Sequence, residues 1–167
     1  KVCRRILYDL ELKGVKFFLF IGILRYYKGL HTLIKAAKDV NTKIVIVGSG
    51  PESNSLKRQA KNNNLNNIIF TGQISNIEKV TLLKNCLALI LPSHLRSEAY
   101  GMALVEASLF GKPMISCEIG TGTSFINLHN KTGFVIPPEI PDALVKAMNT
   151  LLDDNTLVRK FGHNAKE

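Results

Sequence analysis

The sequence of 167 residues has no tryptophan, few cysteines and no long hydrophobic run. Its three cysteines, Cys3, Cys86 and Cys117, are odd in number and widely separated, which argues against a disulfide framework or a zinc site and favours a reducing compartment. No apolar run reaches the roughly 18 residues that span a bilayer, and the most apolar early stretch, 15–24, lacks a secretory cleavage pattern. We therefore expect a cytoplasmic protein without a membrane span.

Several motifs that identify enzymes are missing as well. The sequence has no Walker A loop and no Gly-x-Ser-x-Gly elbow. The segment 48–53 imitates the dinucleotide fingerprint but has Ser53 in place of its third glycine, and the first predicted strand is not followed by such a fingerprint either. A dinucleotide-dependent redox or epimerase domain is therefore disfavoured.

The histidines give no metal signature, because their spacing matches no common ligand pattern. They are His31, His94, His129 and His163. We therefore predict no metal site. For His94 we expect a side chain that faces solvent, with a contact to a bound phosphate as the alternative.

Negative charge is scarce, and the formal net charge is +9. Residues 1–28 contain seven Lys or Arg, against only Asp9 and Glu11. Such a surface attracts phosphates, nucleic acid or anionic lipid, or it simply keeps the protein soluble. No nucleic-acid reading motif is present and aromatic residues make up only 7%, so we do not expect a nucleic-acid partner.

Short apolar runs alternate with amphipathic stretches, which predicts strands alternating with helices. Runs such as KIVIV and LALIL lack polar alternation, so both faces of the sheet should be covered. We predict a doubly wound, Rossmann-like α/β domain over residues 17–167, with ligands beyond the carboxyl ends of a parallel sheet, and a linker or edge segment over residues 1–16. Predicted strands cover 17–23, 43–47, 67–71, 87–91, 114–116 and 133–136, and predicted helices cover 29–38, 52–62, 77–85, 102–110, 141–152 and 156–165.

The most informative segment is 93–107, which leaves a buried strand, crosses a loop and enters a helix. Glu98 lies in the loop, and Glu106 lies about one turn inside the helix. The first helical amides, around Gly101 to Ala103, are free donors at the positive end of the helix dipole. This arrangement predicts an anion site flanked by two carboxylates, as a sugar nucleotide would require. The alternative is that both carboxylates belong to a solvated helix start and face.

Glu98 and Glu106, in EAYGMALVEA followed by FGKP, resemble the Glu-x7-Glu motif of glycosyltransferase family 4. Four further blocks, at 20–29, 48–52, 70–72 and 91–93, are similar to that family in the same order, and the likeness covers about residues 17–152. The resemblance implies the C-terminal, donor-binding half of a GT-B enzyme. The resemblance also implies an N-terminal acceptor-binding domain, which is missing here. Because the chain starts at Lys1 and its first methionine is Met102, we expect it to be cut from a longer protein.

The resemblance also assigns roles to individual residues. Glu106 would bind the ribose hydroxyls, and Glu98 would touch the transferred sugar and stabilise an oxocarbenium-like transition state. Lys28 would pair with the diphosphate and stabilise the leaving group. The family usually has an arginine directly after the first-strand glycine, where this sequence has Ile23, so Arg25 is the candidate replacement. Front-face attack and a covalent intermediate both remain open.

The remaining donor contacts would come from small residues and from the loop before the main helix. These predicted contacts are Gly22, Gly50, Gly72, Tyr100, Gly101, Met102, Ala103, Thr121 and Thr123. The stretches 120–129 and 132–138 are similar to bacterial members that transfer mannose onto surface polysaccharide, which suggests GDP-mannose as the donor; a turn rich in Gly and Thr is the alternative.

The resemblance thus implies retaining hexosyl transfer to a glycan or lipid-linked acceptor, without a metal cofactor. The basic residues would suit an enzyme at the anionic inner face of a membrane. The alternative function is a non-catalytic nucleotide-binding α/β module.

Overall fold

Six short runs of aliphatic and aromatic residues form the strands of one parallel sheet in the computed structural model, which describes residues 4–167. The strands are β1 Phe17–Ile21, β2 Lys43–Val47, β3 Ile68–Gly72, β4 Ala88–Leu91, β5 Met114–Cys117 and β6 Gly133–Ile136. The helices are α1 Arg5–Asp9, α2 Leu30–Ala37, α3 Ser53–Asn62, α4 Asn76–Asn85, α5 Met102–Leu109, α6 Thr123–Ile126, α7 Pro141–Asp153 and α8 Asn155–Lys166, with a 3-10 turn at Tyr26–Lys28. None of these helices is both long and apolar enough to cross a membrane.

The sheet has the strand order β3-β2-β1-β4-β5-β6. The chain runs outward from β1 to β3, crosses back to β4 beside β1, and then runs outward again to β6. This reversal creates a crevice between the carboxyl ends of β1 and β4, where doubly wound sheets bind their ligands. The predicted α/β architecture is confirmed, and the topology makes the loops after β1 and β4 neighbours.

The centre of the sheet is buried on both faces. Phe17, Phe18, Leu19 and Phe20 of β1 are all fully buried, so consecutive side chains on opposite faces are both covered. This explains why the central strands lack alternation. The core therefore holds β1 and β4 rigidly and fixes the points from which their loops leave.

The first strand is shorter than the sequence predicts, because it ends at Ile21 instead of residue 23. Beyond Ile21 the backbone leaves strand geometry but stays bonded to the chain that follows β2. The Gly22 amide donates to the Val47 carbonyl oxygen at 3.1 Å, and the Leu24 amide donates to that of Ser49 at 2.9 Å. The loop after β1 is thus anchored on its β2 side.

Residues before β1 contain a helix that the sequence did not predict. The segment expected to be a linker or edge element forms α1 at residues 5–9, and α1 lies against α4. Ile6, Leu7 and Leu12 are buried and belong to the main core. Their short apolar pattern covers less than two helical turns, which is too little for periodicity to reveal.

Gly29 allows the loop after β1 to approach the end of β4. Its φ of 69° lies in the left-handed region, and a Cβ added there would lie 2.0 Å from the Pro92 carbonyl oxygen. Any side chain at this position would clash with backbone that cannot move aside. The Lys28–Gly29 turn can therefore pack directly on the loop after β4.

We expect Gly29→Ala to lower the free energy of unfolding by at least about 3 kcal/mol, because it adds a backbone clash to an unfavourable φ. Gly120→Ala is the matched control, since Gly120 has a φ of 68° with nothing near its added Cβ. It should lose only about 1–2 kcal/mol. Urea denaturation of both variants measures the difference, and equal losses would contradict the role given to Gly29.

Candidate functional site

The closest polar contact across the crevice joins Lys28 and Glu98. Lys28 ends the 3-10 turn after β1, and Glu98 lies in the loop after β4. Their Nζ and Oε2 atoms are 2.5 Å apart, and their side chains are only 11% and 9% exposed. Burial strengthens such an ion pair but requires that each partner stay paired. The two residues predicted to be catalytic therefore lie in direct contact.

Ser93 fixes the orientation of the Glu98 carboxylate. Its hydroxyl donates to Oε2 of Glu98 at 2.8 Å, and Ser93 itself is buried at the end of β4. The same oxygen thus accepts from a lysine and a serine. The sequence included Ser93 in the motif segment but gave it no role.

The amino end of α5 lies on the same cavity as this ion pair. Gly101 precedes the helix with a φ of 68°, and a Cβ there would meet the Leu91 and Leu104 side chains, the first at 2.6 Å. Within residues 4–167 no side chain caps the helix. The Met102 and Ala103 amides have no intrahelical acceptor by position, so they are available to an anion.

Glu106 lies one turn further along α5 and is paired with a residue that the sequence interpretation missed. Its Oε1 accepts from Lys79 Nζ of α4 at 2.8 Å, and both side chains are partly exposed. Lys79 lies near the start of α4, which begins with a capping box of Ser75 and Glu78. Because α4 follows the parallel strand β3, its start lies at the carboxyl edge of the sheet, like that of α5. The position of Lys79 just after a predicted strand is the signal from which the sequence could have placed it near the site.

These groups surround one cavity of about 500 Å³ at the carboxyl ends of β1 and β4. It brings together Lys28, Glu98, Glu106 and the predicted donor contacts at Gly22 and 100–103. The full lining is Ile21, Gly22, Lys28, Lys79, Leu91, Ser97, Glu98, Ala99, Tyr100, Gly101, Met102, Ala103 and Glu106. A larger hollow of about 910 Å³ lies at the opposite edge, near the amino ends of β2 and β3, where doubly wound sheets do not usually bind ligands.

Five predicted donor contacts are not among the lining residues of this cavity: Arg25, Gly50, Gly72, Thr121 and Thr123. Arg25 is exposed in the same loop as Lys28. Gly50 packs on the backbone of Leu24, and Gly72 accepts a bond from the Gly48 amide.

The loop containing Thr121 and Thr123 does not line the cavity but packs against residues that do. The two threonine hydroxyls lie 3.3 Å apart. Between them, the Gly122 amide donates to the Ala99 carbonyl oxygen at 2.8 Å, and a Cβ at Gly122 would overlap the Tyr100 ring. This loop therefore supports the segment that carries Glu98.

The expectation for His94 was wrong. Its side chain is only 2% exposed, because it packs beneath Tyr26 and against His31, instead of facing solvent. The Glu139 carboxylate lies close to both imidazoles. Burial, followed by the nearby His94, lowers the pKa of His31 below its ordinary value of 6.5, whereas Glu139 raises it. The sequence interpretation missed this cluster because its members come from three distant segments.

Cys86 and Cys117 are buried free thiols. Burial raises the pKa of each to about 12, so neither is a nucleophile at neutral pH. Cys3 lies outside the described residues.

We expect Lys28→Met and Glu98→Gln each to lower the free energy of unfolding by about 3 kcal/mol, since each leaves a buried partner unpaired. The double variant should lose less than the sum, with a coupling energy of about 1–3 kcal/mol. As a control, the exposed Arg5–Asp9 pair, at 3.5 Å, should show a coupling of at most about 0.5 kcal/mol. Additive losses for Lys28 and Glu98 in denaturant titrations would contradict the ion pair.

Solved structures similar to this chain include proteins described as glycosyltransferases. The chain superposes with a TM-score of 0.88 on Anabaena HepE in complex with UDP-glucose, at 24% identity, covering 98% of this chain and 46% of that one. It also matches the C-terminal domain of a glycosyl transferase group 1 family protein from Francisella tularensis, with a TM-score of 0.80 and 21% identity. There it covers 95% of this chain and 88% of the other. At these identities the likeness establishes the fold.

Curated relatives are much closer in sequence. The chain is 45% identical to O-antigen chain mannosyltransferase C of Escherichia coli, over 98% of this chain and 44% of the relative. It is 47% identical to D-rhamnosyltransferase WbpZ of Pseudomonas aeruginosa, over 93% of this chain and 41% of the relative. The chain thus spans less than half the length of these relatives. The family model described as glycosyl transferases group 1 matches residues 9–167. This chain belongs to the group 1 glycosyl transferases and has the fold of their C-terminal, GT-B half.

Proposed function

We propose that this chain is the donor-binding half of a retaining glycosyltransferase that takes its hexose from a nucleoside diphosphate. The observation that carries the proposal is the meeting of Lys28 and Glu98 across the crevice, beside the uncapped amino end of α5. A cation, a carboxylate and free amides at one cavity match the parts of a sugar nucleotide.

The donor diphosphate lies at the amino end of α5 in this proposal. The Met102 and Ala103 amides donate to it, and Lys28 supplies the charge. Because Lys28 is bonded to Glu98, the diphosphate has to draw Lys28 partly away. That exchange releases a Glu98 oxygen for a sugar hydroxyl, while Ser93 keeps the carboxylate in place.

The ribose diol binds at Glu106. A carboxylate can accept from two adjacent hydroxyls, and the bond from Lys79 to Oε1 keeps the Glu106 side chain directed to the cavity. Lys79 also adds positive charge beside the diphosphate. With Lys28 and Lys79 on the same cavity, we propose that protein cations, and no metal ion, neutralise the donor.

The chemistry breaks the bond between the anomeric carbon and the diphosphate oxygen and forms one to an acceptor hydroxyl, and the departing diphosphate accepts the hydroxyl proton. Positive charge develops on the sugar and negative charge on the diphosphate. The Glu98 carboxylate stabilises the first charge and Lys28 the second. Both a front-face and a covalent route are compatible with a single carboxylate in the same cavity as the amino end of α5.

The sugar we propose is a hexose of the D-manno configuration, with GDP-mannose as the first donor to test. The two relatives are named for mannose and D-rhamnose, and D-rhamnose is 6-deoxy-D-mannose. The acceptor, a glycan or lipid-linked saccharide of a surface polysaccharide, is bound by the other half of the whole enzyme.

Calorimetric titration of the 167-residue chain should show weak binding of GDP-mannose and GDP, and Glu106→Gln should weaken it about tenfold or more, because a charged hydrogen bond to the ribose is lost. Glu11→Gln is the control, since Glu11 is 86% exposed at its side chain, beside Lys43 at the other edge of the sheet. Tighter binding of UDP-glucose than of GDP-mannose would refute the donor, and unchanged binding by Glu106→Gln would refute the ribose site.

In the full two-domain enzyme, Glu98→Gln should lower kcat by at least about a hundredfold with a small change in KM, because its carboxylate acts mainly on the transition state. The chain alone should transfer no sugar. Radiolabelled transfer to acceptor measures both. Robust transfer by the chain alone, or a Glu98→Gln effect confined to KM, contradicts the division of labour.

The basic side chains that precede β1 support a membrane-facing position in the whole enzyme. Arg4, Arg5, Lys13 and Lys16 are all exposed. Vesicles containing anionic lipid should co-sediment this chain at low salt, and neutral vesicles should not. Equal sedimentation with both would contradict an electrostatic contact.

A further inference from the structure

A second cluster of polar side chains lies outside the lining of the 500 Å³ cavity. His31 in the first turn of α2, His94 in the loop after β4 and Glu139 in the loop after β6 place one ligand-type atom each within 4.8 Å of one another. The three residues are far apart in the sequence, so only folding brings them together.

The buried imidazole of His94 lacks the partners that such a group requires. Its side chain is 2% exposed, and neither ring nitrogen has a hydrogen-bond partner among residues 4–167. Its Nε2 is 3.9 Å from Glu139 Oε1, beyond hydrogen-bond range. Buried polar groups nearly always have a hydrogen-bond partner, so the two unpaired ring nitrogens of His94 need an explanation.

The other two groups face the same point. His31 Nε2 is 3.7 Å from the same Glu139 oxygen, again too far for a hydrogen bond. The Tyr26 ring stacks on His31 at 5.3 Å with planes 7° apart and packs edge-on against His94 at 4.8 Å. Two imidazole nitrogens and one carboxylate oxygen therefore converge without bonding to one another.

The backbone at Glu139 indicates that its position is imposed. Its φ of 59° is unusual for a residue with a side chain, and prolines at 137, 138 and 141 stiffen the loop around it. Non-glycine residues held in this region cluster at functional sites. The loop thus presents a carboxylate to two histidines at a cost in backbone energy.

We propose that His31, His94 and Glu139 bind a divalent transition metal ion of the zinc type. Two neutral imidazoles and one carboxylate are a common three-residue ligand set for Zn²⁺, with water at the fourth position. Ligands at about 2.0–2.1 Å from the ion lie roughly 3.3 Å from each other in a tetrahedral site. The Glu139 oxygen lies 3.7 and 3.9 Å from the two imidazole nitrogens, and all three ligand atoms lie within 4.8 Å of one another. Binding therefore requires a contraction of at most about 1.5 Å between any two ligands, which the partly exposed His31 and Glu139 side chains can supply.

The metal would join the first turn of α2 to the loops that follow β4 and β6. The His94 amide donates to the Tyr27 carbonyl oxygen at 3.0 Å, next to Lys28, and Ser93 on its other side bonds to Glu98. A tie at His94 therefore stiffens the two loops that carry the Lys28–Glu98 pair. The ion stays separate from the donor diphosphate, so the inference does not depend on the proposed function.

Titration of the metal-free 167-residue chain with Zn²⁺ tests the proposal. We expect one ion per chain and a Tm that rises with Zn²⁺ concentration. His31→Gln and Glu139→Gln should each weaken Zn²⁺ binding more than about tenfold, and both alter partly exposed side chains that folding tolerates. His163→Gln is the control, because His163 forms an exposed pair with Glu167 at 3.2 Å and should leave binding unchanged.

Co²⁺ provides a second readout, because its visible absorption reports the ligands. Intense d–d bands without thiolate charge-transfer bands would support the His–His–Glu site. Charge-transfer bands, or Zn²⁺ binding that survives both variants and is abolished by blocking thiols, would place the metal on cysteine and overturn the proposal. Absence of saturable Zn²⁺ binding, or equal weakening by His163→Gln, would overturn it as well.

Discussion

The close packing of the Lys28–Gly29 turn on the backbone at Pro92 is the constraint on which the candidate site depends. Strand order alone makes the loops after β1 and β4 neighbours. It does not bring a lysine Nζ within 2.5 Å of a carboxylate, because a side chain at position 29 would hold the two loops apart. Because Gly29 has no Cβ, the two neighbouring loops can approach closely enough for Lys28 to contact Glu98. Gly101 does the same for the start of α5, where a Cβ would collide with Leu91 and displace the helix amides from the cavity.

Charge is distributed so that each acidic group of the cavity has a basic partner. Glu98 is paired with Lys28, and Glu106 with Lys79. The first pair is nearly buried and the second partly exposed, so their energies differ even though both distances are short. A polyanionic ligand that contacts Lys28 or Lys79 has to compete with the glutamate already paired to that lysine. In the proposed donor complex a sugar hydroxyl would replace Lys28 at Glu98, so that the carboxylate would not stay buried and unpaired.

The alternating strands and helices were predictable from the sequence. All six strands and the main helices follow from runs such as KIVIV and from helical periodicity, and the Glu98–Glu106 spacing located the loop and helix of the cavity. Contacts between distant segments were not predictable. Lys79 enters the cavity from a helix that follows the outer strand β3, and His94 is buried because Tyr26 and His31 cover it. A single residue on an amphipathic helix, or a histidine in a polar loop, has the same local pattern whether it faces water or another segment.

His31 and His94 lie within four residues of Lys28 and Glu98 along the chain, and this proximity has a mechanical consequence. Ser93 bonds to Glu98, and the next residue, His94, is held through its amide to Tyr27. A change that moves the His94 imidazole must therefore pull on Ser93 and on the turn that carries Lys28. Packed side chains transmit such displacements because the interior has little free volume. The geometry of the ion pair therefore also depends on packing by groups that do not line the cavity, and the residues that hold these two loops contribute to it along with the two charges.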